Sequence, residues 1–153
     1  MSAPVVTPTM LKFGYKHTLI ADYDWWCVLL RPTQPTLGSL ILAAKSNTKA
    51  FSELPSSAFT ELASVTKDIE TSLKAFQDYD KINYLMLMMK DPEPHFHVIP
   101  RYKAAQQFTG LDFNDTGWPG PPALGDALPL NDDQRDELIS AVKAHWPARS
   151  AVN

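Results

Sequence analysis

Cysteine occurs once, at Cys27, so no internal disulfide can form; this predicts a reducing compartment and a cytoplasmic protein. No run approaches the roughly 18 consecutive apolar residues that a membrane span needs. Residues 1–10 have neither a basic n-region nor an apolar h-region, which predicts no signal peptide and no membrane partner. Charge of one sign is also scarce. With 14 Lys+Arg against 17 Asp+Glu, the net charge of −3 leaves no basic stripe for a nucleic-acid backbone, although two or three local groups suffice for a small anion. No internal repeat and no low-complexity tract occurs.

What is present fits one domain over residues 1–153, with 44% apolar and 20% charged residues. Thirteen prolines punctuate the chain, and residues 1–10 are read as a loose N-terminal arm. The pattern over 11–31 is extended, with a turn at 22–24 and an apolar strand at 25–30. Residues 31–38 then form a loop, and 39–44 a second buried strand. Phe59, Leu62, Val65, Ile69, Leu73 and Phe76 lie on one face of a helix over 56–78 and are read as core. The run at 82–89 is read as a central strand buried on both faces, its methionines as adaptable core filler. Another strand covers 95–99. Residues 103–153 form a Pro/Gly-rich segment and a final helix over 131–146, for which Asn131 is the candidate N-cap. The class is therefore α+β.

The chemistry-bearing residues are His95 and His97. At i and i+2 in a strand both imidazoles point to one face, and Glu93 shares it if the strand starts two residues earlier. Two readings compete with a purely structural role. One is a metal site on Glu93, His95 and His97. The other is a nucleophilic histidine, with Nε2 attacking phosphorus while a backbone carbonyl orients the other nitrogen. The cupin pattern of metal-binding histidines is excluded, because no glycine lies between Gly38 and Gly110 and no acid between His97 and Asp112.

Residues 93–102 (EPHFHVIPRY) resemble the signature of the histidine triad superfamily. The resemblance extends over 26–38 (WCVLLRPTQPTLG), the helix with Asp68 and Glu70, and 79–89 (YDKINYLMLMM), in register over about residues 12–119. It implies an antiparallel sheet of about five strands, one long helix packed on it, an added C-terminal helix and a homodimer. The implied activity is hydrolysis or transfer at the α-phosphate of a small nucleotide, in dinucleoside polyphosphates, nucleoside phosphoramidates or similar conjugates. A nucleotide-binding protein without turnover is the alternative. His95 falls on the middle histidine, which forms a nucleotidyl-histidine intermediate, and His97 on the third, which binds phosphate oxygens. Glu93 takes the first histidine's place. A carboxylate there repels a phosphate by about 4 kcal/mol at 4 Å under a surface-like dielectric, so Glu93 is a candidate proton carrier or holder of a divalent ion that arrives with the substrate. No resident cofactor is implied. Arg31, Arg101 and Ser39 are the candidate substrate contacts. The connection before the triad is short, only residues 90–94.

Overall fold

The computed structural model describes residues 3–148. Helix α1 (Pro8–Lys12) is followed by β1 (Leu19–Asp22), β2 (Trp26–Leu30), β3 (Thr33–Gln34) and β4 (Leu40–Ala44). A 3-10 turn (Phe51–Glu53), the long helix α2 (Ser56–Phe76), β5 (Lys81–Leu85) and β6 (His95–Arg101) come next. The short strands β7 (Gln106–Phe108), β8 (Leu111–Phe113) and β9 (Leu128–Pro129) lead to helix α3 (Asp132–Lys143). Five strands form one antiparallel sheet in the order β1-β2-β4-β6-β5. This is the expected α+β class with its long helix and C-terminal helix. Among the described residues no helix is long and apolar enough to cross a membrane.

The two central strands β2 and β4 are buried at every position, because both faces of the sheet are covered. On one face Val28, Leu30, Leu40, Leu42 and Val98 pack with Val65, Ile69 and Leu73 of α2. The Trp26 indole N–H donates to the Ala58 carbonyl at 2.8 Å, locking β2 to the first turn of that helix. Glu61 accepts from the backbone N–H groups of Asp24 and Trp25, so α2 also holds the β1–β2 turn. On the opposite face Cys27, Leu29, Ile41 and Ala43 form a second cluster with Met10, Leu19, Phe13 and Tyr15. Register places Ile41 opposite His97 and Ala43 opposite His95, so both histidines belong to this second face.

Two expectations need correction here. The N-terminal segment is no loose arm from residue 7 onward. Thr7 caps α1, its hydroxyl accepting from the Met10 N–H, and Thr7, Thr9 and Met10 are buried on the second face. The burial of an apolar side chain and the cap outweigh the prolines and small residues that suggested a loose arm. Residues 1 and 2 of the expected arm lie outside the described residues, as does the C-terminal stretch 149–153. The run at 82–89 is not a central strand: pairing ends at Leu85, β5 is the sheet edge, and Met89 is 83% exposed. The final helix starts as expected, with Asn131 accepting from the Gln134 N–H in a reciprocal capping box, but it ends at Lys143, short of Trp146.

Candidate active site

Strand β6 sets the geometry. Pro94 precedes it without a donor of its own, while its carbonyl accepts from the Ala44 N–H. His95 and His97 then project from one face with ring centroids 5.3 Å apart, inclined at 67°. His95 Nδ1 lies 2.8 Å from the backbone carbonyl of Glu93. A carbonyl only accepts, so Nδ1 carries the proton and Nε2 carries the lone pair. The orientation by a backbone carbonyl expected of a nucleophilic histidine is therefore present.

His97 differs from it. Its Nδ1 is buried with no partner. Burial, followed by the positive charge of Arg31 and the neighbouring His95, pushes its pKa down to about 4, with Asp91 opposing. His97 is thus neutral near pH 7. Arg31 is held by two contacts from Nη1, to the Thr33 carbonyl at 2.8 Å and the Thr33 hydroxyl at 2.7 Å, while its buried Nε has no partner. A buried, unpaired guanidinium N–H is a group an anionic oxygen would satisfy, and so is His97 Nδ1 in the tautomer that carries its proton there.

Gln34 builds the loop that carries Arg31. Its side-chain N–H groups donate to the carbonyls of Arg31 and Ser39, and its Oε1 accepts from the N–H groups of Gly38 and Ser39. Gly38 closes the loop at φ +87°, a conformation that glycine adopts without strain.

The histidines line a cavity of about 270 Å³ together with Leu87, Met88, Met89, Lys90 and Asp91. The Phe13 ring lies 5.7 Å from the His95 ring and edge-on to His97 at 5.9 Å. Larger surface hollows, of about 560 and 520 Å³, lie along Trp25, Asn47 and Glu53 and along Asp22, Lys45 and Glu61. Neither contains a histidine, whereas the smaller cavity holds two.

None of the three expected substrate contacts lines the histidine cavity, and Arg31 is tied to it only through its charge acting on His97. Arg101 is 4% exposed and makes a two-pronged ion pair with Asp115, at 2.6 and 2.9 Å, and a third bond to Asn83. It pins the 113–121 segment to β6 and borders a separate hollow beside Trp118. Ser39 is fully buried; its hydroxyl donates to the Thr36 carbonyl and accepts from the Thr36 N–H. Neither lines the histidine cavity. The expected ligand trio also fails to converge: among the described residues no three His, Cys, Asp or Glu side chains are arranged to hold a metal. His95 Nδ1 is turned to a backbone carbonyl, and the Glu93 carboxylate is turned to Thr9, whose N–H and hydroxyl reach Oε1 at 3.2 and 2.8 Å. The sequence reading missed Phe13, Thr9 and Lys12. The signal available was Thr7 followed by Pro8, a cap and a first-turn proline.

No protein-family model matches the chain, and no curated protein matches it. Solved structures do. A histidine triad protein from Sinorhizobium meliloti 1021 superposes with a TM-score of 0.72 at 21% identity, covering 93% of this chain and 96% of that one. One from Bradyrhizobium japonicum gives 0.71 at 20% identity, over 95% of this chain and 100% of that one. Diadenosine triphosphate hydrolase of Plasmodium falciparum gives 0.61 at 9% identity, over 85% and 76%. The fold is that of the histidine triad proteins.

Proposed function

We propose that the protein binds a nucleotide conjugate at the His95–His97 cavity and cleaves or transfers it at the α-phosphate. The observation that carries this reading is the His95 Nδ1 contact to the Glu93 carbonyl, which leaves Nε2 as the nucleophilic nitrogen. The Nε2 lone pair attacks the α-phosphorus, and the bond from phosphorus to the leaving group breaks. The nucleotidyl group is then bonded to Nε2, and the leaving group departs with the electron pair and takes up a proton. Water, or another acceptor, attacks the same phosphorus, loses a proton and restores free His95 as the nucleoside monophosphate leaves. Splitting one displacement into two is the ordinary benefit of a covalent intermediate.

Arg31 Nε and His97 Nδ1 are the proposed donors to the phosphate oxygens, since both are buried and unpaired. Dinucleoside polyphosphates, nucleoside phosphoramidates and related conjugates are the proposed substrates. The likeness to a diadenosine triphosphate hydrolase supports the first of these. Glu93 contributes to this scheme through its carbonyl, which fixes the tautomer of His95.

Product formation from a panel of such conjugates, followed by mass spectrometry beside His95→Ala, tests the assignment. Nucleoside monophosphate from the wild type alone is expected. Nucleotide binding without product from either protein would leave a binding protein on this fold.

A further inference from the structure

The Glu93 carboxylate is buried, 4% exposed, and faces away from any ligand role. Its Oε1 accepts from both the N–H and the hydroxyl of Thr9, 84 positions earlier in the chain. Three residues further along α1, Lys12 makes an ion pair at 2.9 Å with Asp91 of the loop that lines the histidine cavity. Between these two ties Met10 is wholly buried, and just beyond them the Phe13 ring lies against both imidazoles. His95 is left only 2% exposed. The cavity beside it, about 270 Å³, falls just below the roughly 300–1,000 Å³ usual for small-molecule sites. In this arrangement the His95 ring presents almost no surface to a nucleotide conjugate.

We propose that residues 7–13 are a hinged cover over His95 and that Glu93, latched to Thr9, is the positioning residue that holds it closed. The substrate reaches Nε2 only when this latch and the Lys12–Asp91 tie open together. The proposal rests on His95 being the working group of the site. It also accounts for a carboxylate beside two histidines that does not join them: its work is on the segment above, not on the phosphate.

The chain carries its own reporter. Cys27 is its one cysteine, fully buried in the same apolar cluster as Met10, directly on the face that the segment covers. Burial, reinforced by Asp22, pushes its thiol up to about 12, so it is inert while the cover is shut and reactive once exposed. The rate at which an aromatic disulfide reagent labels Cys27 in the native protein therefore reads cover opening, with no substrate needed.

In the wild type, labelling should be nearly independent of urea below the unfolding transition, the behaviour of a local opening that exposes little surface. Thr9→Val should speed labelling by about tenfold, because it deletes a hydroxyl bond to a buried carboxylate. Lys12→Gln, at an exposed position that cannot compromise folding, should speed it by about twofold. Glu93→Gln, which keeps an acceptor oxygen, should label more slowly than Glu93→Ala. A labelling rate with the same urea dependence as global unfolding would overturn the proposal. So would rates in Thr9→Val and Lys12→Gln equal to wild type. Product formation is measured separately: its absence sinks the nucleotidyl reading and leaves the labelling result standing.

Discussion

Replacing Asp115 by alanine should be among the most damaging single changes in the molecule, although Asp115 lies in an irregular segment distant in sequence from both long helices. Its side chain is 1% exposed, and that of Arg101 is 4% exposed. Asp115 accepts from Arg101 Nε and Nη2 and also from the Tyr102 N–H. Removing it strands a guanidinium out of water with only Asn83 as a partner. Breaking a buried pair in this way typically costs about 3–5 kcal/mol, chiefly because an uncompensated charge stays buried. For a domain of this size that lowers the melting temperature by roughly 10 °C or more. Urea unfolding followed by fluorescence gives the loss of stability directly. The double variant Arg101→Met with Asp115→Ala separates causes: removing both charges should recover most of the loss. A single variant within about 1 kcal/mol of wild type would refute the reasoning and return Arg101 to the list of free cations that could serve a ligand.

The pH dependence of stability should show His97. Its folded pKa is lowered to about 4 from an ordinary 6.5, so the unfolded chain binds more protons between these values. The contribution is complete above pH 6.5 and is lost as pH falls toward 4, about 3 kcal/mol in all. Urea midpoints measured across pH 4–8 should show this slope, and His97→Gln should flatten it. Gln34→Ala should cost about 2–4 kcal/mol, because the N–H groups of Gly38 and Ser39 and the carbonyls of Arg31 and Ser39 all lose their side-chain partner. Nucleotide affinity should fall with it, as the loop carrying Arg31 loosens; calorimetric titration checks this. Asn131→Ala should cost about 1 kcal/mol through loss of the capping box at α3, readable as a small shift in the thermal midpoint.

The elements that were legible in the sequence have strong local causes. The 3.6-residue stripe of Val65, Ile69 and Leu73 can bury itself in only one way, and α2 ends within two residues of the expected place. Asn131 with Gln134 three residues on announces the start of α3. His95 and His97 share a face because a strand's period is two. What was illegible depends on contacts remote in sequence. Nothing near Arg101 shows that Asp115 will fold back onto it, and a cation before an aromatic reads equally well as a ligand contact. Ser39 looked available because its partner Thr36 acts through loop geometry that composition does not reveal. The run over 82–89 is apolar enough for a central strand, yet the sheet ends there, and Leu87 and Met89 stay exposed beside the histidine cavity. Residues 7–13 offer only the Thr7–Pro8 helix start as a local signal, because their burial depends on the face laid down by β2 and β4.

That dependence imposes an order on biogenesis. Thr9 leaves the ribosome 84 residues ahead of Glu93, which at roughly 5–20 residues per second is a wait of several seconds or more. During that interval Met10 has only the β2 and β4 residues to settle on, and the ties of Thr9 to Glu93 and of Phe13 to the histidines cannot form, because strand β6 has not yet been made. The stretch translated early is therefore put in place late, and His95 is roofed over only after the sheet beneath it is complete.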